Sequence, residues 1–218
     1  MNAYQPTDRR PIASSLRRSA DAAVRLCVRW HVHPDAVSYA SAVAAAGAGA
    51  CLWRSGVHLW LVVPAAALMY LRLWLNMLDG MVALASGKAS RRGEILNELP
   101  DRVSDVLIFV GVAHSGLCVV ASGYWAAMAA LLVAYVGTLG QAIGARRQFG
   151  GVMAKPWRMV TLHVGTWTAL ALGADAAYAG LSIVDWTCII IVLGCVQTVI
   201  VRLNRIVRNL REAEPTTH

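Results

Sequence analysis

The stretch Asn76-Met-Leu-Asp79-Gly80-Met-Val-Ala83-Leu84, followed by Gly93-Glu94-Ile-Leu-Asn97-Glu98-Leu-Pro100-Asp101-Arg-Val-Ser-Asp105, decides how this chain reads. Asn76, Asp79 and Ala83 recur at helical spacing and share one face. Gly93, Asn97, Asp101 and Asp105 form an i, i+4 stripe on a second helix. The polar, basic loop between them, 86–92, is short enough to turn the two helices antiparallel, so the stripes meet. Carboxylates and carboxamides thus converge in a chain that is otherwise strongly apolar. Ionisable groups in membrane segments are costly and mark function by default.

The surrounding composition sets the class. Of 218 residues, 57% are hydrophobic and 15% charged, and the mean hydropathy is +0.53. A soluble domain carries about 25% charged residues, so an all-α integral membrane protein is expected. Six apolar segments stand out, at 36–52, 57–75, 103–120, 124–143, 160–179 and 183–203. Each approaches the about 20 residues that cross a bilayer as a helix. Residues 1–10 read as a flexible tail and 213–218 as a disordered one. Within 11–32, Ile12, Leu16, Ala20, Val24, Cys27 and Val28 recur at helical spacing among arginines. That pattern predicts an amphipathic helix lying on the membrane surface, ahead of a six-span domain over 33–212. No apolar run precedes a small-residue cleavage site near the N-terminus, so no cleaved signal peptide is expected.

Orientation follows from charge. With the N-terminus in the cytoplasm, the inward segments hold 18 of the 20 Lys and Arg residues. Arg54 falls outside, and Arg72 lies within the second span. This bias places both termini in the cytoplasm of a multi-pass inner-membrane protein. The net charge of +8 then reflects topology and contact with anionic membrane lipids. Nucleic-acid binding would need a soluble basic surface, which the chain lacks. The five cysteines are scattered, without metal-ligand spacing. Gly140 and Gly144 form a GxxxG that serves as a helix-packing face and admits a homodimer.

The spacing at 76–101 resembles the CDP-alcohol phosphatidyltransferases, whose motif is Asp-x2-Asp-Gly-x2-Ala-Arg-x8-Gly-x3-Asp-x3-Asp. The corresponding positions here are Asn76, Asp79, Gly80, Ala83, Leu84, Gly93, Asn97 and Asp101. Every gap is kept, and Asp79, Gly80, Ala83, Gly93 and Asp101 keep the family residue. Six spans, cytoplasmic ends, an N-terminal surface helix and the start His33-Pro34-Asp35-Ala36-Val37-Ser38 extend the likeness over most of the chain.

The resemblance implies divalent cations, Mg²⁺ or Mn²⁺, two of them on the family's four aspartates, at Asn76, Asp79, Asn97 and Asp101, with Asp101 as catalytic base. It implies a CDP-linked lipid donor, a small polar alcohol acceptor, and a nucleotide site lined by Gly80, Ala83 and Gly93. Oxygen ligands suit such hard cations. The departures concern charge: two metal-site aspartates are Asn76 and Asn97, and the motif arginine is Leu84. The substrate diphosphate, a single metal, or the neighbouring Glu94, Glu98 and Asp105 could restore the balance. Arg72, seven residues before Asp79, either contacts substrate phosphate or forms a structural pair with Asp79 or snorkels to the interface. Pro100 either kinks the helix to re-aim Asp101 or is a tolerated membrane proline. Arg146, Arg147, Lys155, Arg158, Arg202 and Arg205 grip a phosphorylated acceptor or only express the inward charge bias. Two rivals to a transferase are a catalytically inactive relative that binds lipid or nucleotide, and a transporter. Clustering of the acids at one boundary disfavours the transporter.

Overall fold

In the computed structural model, residues 14–87, 91–145, 148 and 150–213 are described, with side chains over 21–87, 98–145, 148 and 150–212. The chain is helical almost throughout. The helices are α1 (Ser14–Arg29), α2 (Pro34–Trp53), α3 (Val62–Ala85), α4 (Arg91–Ala113), α5 (Val120–Ala142), α6 (Lys155–Leu172) and α7 (Ile183–Ala213). Local chemistry sets several ends. Pro34 opens α2, where a missing N–H costs nothing, and His33 accepts the Asp35 N–H. Gly173, at φ 99°, ends α6.

Four of these segments, at Pro34–Trp53, Leu59–Ala85, Val120–Ala142 and Ile183–Glu212, are long and apolar enough to cross a membrane. Val43, Tyr70, Trp125, Val164 and Leu193 are exposed on outer helix faces. An apolar belt of that kind is unfavourable in water and favourable in lipid. The protein is an integral membrane protein.

Helix ends differ from the apolar runs in instructive ways. The third run, expected to 120, breaks at Ala113 because His114–Val119 turns, with Gly116 at φ 78°. The fifth, expected to 179, stops at Leu172, and Ala177–Tyr178 pairs with Leu181–Ser182 as a two-stranded hairpin, β1–β2. The second runs ten residues further than its apolar stretch, to Ala85, carrying Asn76 and Asp79 within the helix. Gly144 lies beyond α5 at φ 88°, so the GxxxG is not one continuous helical face. Gly140 instead packs on Ile206 of α7 in the same chain.

Small residues bring the motif helices together. A Cβ on Gly111 of α4 would lie 2.2 Å from the Gly49 carbonyl oxygen of α2, and one on Gly49 would lie 2.5 Å from the Leu107 carbonyl oxygen. Backbones touch there, which only glycine permits. Helix α2 also packs along α3. Ala45, Ala48, Met69, Ile108 and Phe109 fill the shared core. α1 packs Ala23, Val24 and Cys27 against Trp74, Leu75, Leu78 and Val82, beside the motif-bearing part of α3. At the opposite end, Asp185 accepts from the Val119 N–H (2.9 Å), Ser122 Oγ (2.6 Å) and Ser182 Oγ (2.8 Å), tying the 114–119 turn to α7.

Candidate active site

Arg72, Asn76 and Asp79 lie one helical turn apart in succession on α3, and Asp101 and Asp105 do so on α4. Arg72 reaches Asp105 while Asn76 reaches Asp101, so the helices run antiparallel. The two polar stripes meet as the spacing predicts.

The contacts are dense. Asn76 Nδ2 donates to Asp101 Oδ1 at 2.7 Å. Arg72 Nη2 donates to Asp101 Oδ1 at 3.2 Å, to the Asp101 carbonyl at 3.1 Å and to Asp105 Oδ1 at 2.9 Å. A third helix contributes two cations. Lys155 Nζ donates to Asn76 Oδ1 at 2.7 Å and pairs with Asp101 Oδ1. Arg158 Nη2 donates to Asp105 Oδ2 at 2.9 Å, and its Nη1 to the Met153 carbonyl at 3.2 Å. From α2, Ser38 Oγ donates to Asp79 Oδ2 at 2.6 Å and Ser41 Oγ to the Arg72 carbonyl. Arg72, Asp79, Asp101, Asp105, Lys155 and Arg158 are all buried.

Two features give this cluster chemical capacity. Among the described residues, every polar contact to the Asp101 carboxylate falls on Oδ1. Its Oδ2 carries none of these contacts. Gly80, next to Asp79, has open space where a Cβ would stand. The cluster is therefore anchored through Asp101 Oδ1, with open space beside Asp79 at Gly80.

The sequence expectations map onto it as follows. Asn76, Asp79, Asp101, Asp105 and Arg72 come together. Arg72 pairs with Asp101 and Asp105, not with Asp79, and is wholly inside the protein. The Gly93, Glu94 and Asn97 side-chain positions lie outside those described. Glu98 pairs with Arg102 one turn along α4. Ala83 is half-buried. α4 continues through Pro100. Among the described residues, no cluster of three or more His, Cys, Asp or Glu side chains is arranged to hold a metal. Arg202 donates to the Gly150 and Val133 carbonyls, so it braces the bundle.

Sequence reasoning named Lys155 and Arg158 only as part of an inward basic group and missed their place among the acids. The available signal was Asp105: a buried carboxylate beside Asp101 needs cations, and Lys155 and Arg158, three apart, begin an otherwise apolar helix. Ser38, quoted only as part of the α2 start, is the other residue missed.

No protein-family model matches the chain. It is 26% identical over 186 residues to the phosphatidylinositol phosphate synthase of Corynebacterium glutamicum, covering 82% of this chain and 80% of that one. Its fold is similar to a crystal structure of the Mycobacterium tuberculosis phosphatidylinositol phosphate synthase with CDP-DAG bound: TM-score 0.73, 19% identity, 92% of this chain and 100% of that one. The same M. tuberculosis enzyme in complex with manganese and citrate gives a TM-score of 0.71 at 19% identity, over 91% and 93%.

Proposed function

This chain belongs to the CDP-alcohol phosphatidyltransferase family, and from that premise we propose that it moves a phosphatidyl group from a CDP-linked lipid such as CDP-diacylglycerol to an acceptor hydroxyl, releasing CMP, in phospholipid biosynthesis. The observation that carries the site assignment is Asp101, held on Oδ1 by Arg72, Lys155 and Asn76. Three donors fix the carboxylate and leave Oδ2 to accept a proton.

In this reading the acceptor hydroxyl gives its proton to Asp101 Oδ2 as its oxygen attacks the lipid-side phosphorus. The new P–O bond forms as the bond to CMP breaks. Gly80 and Ala83, with Gly93, line the nucleotide side; the open space at Gly80 supports this. Asp79, joined by Asn97 beside Asp101, would supply oxygen ligands to a divalent cation, Mg²⁺ or Mn²⁺. When bound, such an ion polarises the diphosphate and stabilises the leaving CMP. Arg72 is a positioning residue for Asp101 and Asp105.

We read α4 and α6 as spans too, making six, since Val103 of α4 and Val160, Val164 and Trp167 of α6 face outward beside the four apolar helices. Cationic residues concentrated at one end support cytoplasmic termini, with α1 on the inner leaflet.

The acceptor is a small polar alcohol. Because the C. glutamicum relative is named for a phosphatidylinositol phosphate product, phosphorylated inositol leads the candidates. The test is mass spectrometry of lipid products from purified protein in nanodiscs, given CDP-diacylglycerol and Mn²⁺ with a panel of phosphorylated polyols, free polyols and amino alcohols. One acceptor-dependent phosphodiester lipid is expected. No new lipid with any acceptor, despite nucleotide binding, would favour the inactive, ligand-binding relative instead.

A further inference from the structure

We propose that the Lys155 ammonium takes the place of one divalent cation in this site, so that the protein binds a single divalent ion. This rests on the phosphatidyltransferase reading and concerns how its centre is charged.

The geometry comes first. Lys155 reaches in from α6 to touch Asn76 Oδ1 on α3 and Asp101 Oδ1 on α4. These are facing oxygens of α3 and α4, so the ammonium sits between the two motif helices. Lys155 is 5% exposed, so its ammonium is fixed within the protein. Asn76 then turns its Nδ2 onto the same Asp101 oxygen. That oxygen already takes three donors, from Arg72, Asn76 and Lys155.

Charge leads to the same conclusion. The buried carboxylates of this cluster are Asp79, Asp101 and Asp105, and its buried cations are Arg72, Lys155 and Arg158. An aspartate that holds a divalent cation leaves one net positive charge. An asparagine that holds an ammonium also leaves one. Asn76 with Lys155 therefore keeps the local charge that the family's aspartate with its cation would have. A second divalent ion would stand directly against the Lys155 ammonium in the same low-dielectric cluster. The Asp79 carboxylate, oriented by Ser38, supplies a ligand for the one ion. Glu94 and Glu98 are then not needed to restore charge.

The experiment counts manganese on the full-length chain in nanodiscs, by elemental analysis after equilibrium dialysis at saturating Mn²⁺, with EPR as a second readout. Wild type should hold one ion per chain, with no spin-coupled Mn²⁺ pair. Asn76→Asp alone should still hold one, because Lys155 remains. Asn76→Asp with Lys155→Met should hold two and show the coupled signal. Two ions or none on wild type, two on Asn76→Asp alone, or one on a folded double variant would each overturn the proposal. CMP release is measured on the same samples. Release with two ions on wild type removes this inference and leaves phosphatidyl transfer standing; one ion without release does the reverse.

Discussion

Arg72 of α3 and Asp105 of α4 are joined by a 2.9 Å ion pair in which both side chains are almost completely inside the protein. Arg158 meets the other oxygen of the same carboxylate. Asp105 is therefore the anchor of the cluster, and Asp101, one turn away, keeps one carboxylate oxygen outside the described contacts. The guanidinium that bridges them couples the stability of the site to the position of its base.

Replacing Arg72 by Met should cost about 3–5 kcal/mol, as removing one partner of a buried charge network does. The expected readout is a lower melting temperature in detergent. Arg208→Met, which removes an exposed pair with Glu212, should leave the melting temperature unchanged. Equal effects would show that Arg72 is not structural.

Glycine variants separate packing from binding. Gly111→Ala places a Cβ 2.2 Å from the Gly49 carbonyl oxygen. It should force α2 and α4 apart and lower both stability and activity. Gly80→Ala meets no atom within 4 Å. It should melt like wild type and raise the KM for the CDP-lipid. A wild-type KM in Gly80→Ala would remove this residue from the nucleotide site.

Ser38→Ala removes the 2.6 Å hydrogen bond that orients Asp79. Groups that orient a metal ligand typically contribute 10–100-fold in affinity. Mn²⁺ affinity, measured by titration, should weaken within that range while the protein stays folded. An unchanged affinity would show that Asp79 does not need this orientation or is not a ligand.

Glu98→Gln should leave Mn²⁺ affinity at the wild-type value, because Glu98 pairs with Arg102. A loss as large as that in Asp79→Asn would instead give Glu98 the charge-restoring role that its place on the α4 stripe suggests.

The α3–α4 half of the site was legible in the sequence because it is local. Asn76 and Asp79 recur at helical spacing, as do Asp101 and Asp105, and a short loop brings their helices together. Lys155 was not legible in the same way. It lies 79 positions from Asn76, and only packing of α6 beside α3 brings the two into contact. Arg72 could be flagged as needing a partner, but Asp79 on its own helix was as good a candidate as the acids on α4. The helix ends at Ala113 and Leu172 escaped hydropathy, since Leu117, Cys118, Val119 and Ala174 continue the apolar character through turns. Conformation at Gly116 and Gly173, not polarity, ends those helices.

The most direct test of the central claim is the rate of CMP release from CDP-diacylglycerol by Asp101→Asn beside wild type and Asp105→Asn, all in nanodiscs with Mn²⁺ and the productive acceptor. Removing a general base should slow turnover by about 10²–10⁴-fold. Asp101→Asn should show that loss with nucleotide binding retained. Asp105→Asn should chiefly lower the melting temperature and lose far less turnover. Wild-type release by a folded Asp101→Asn protein would contradict the account.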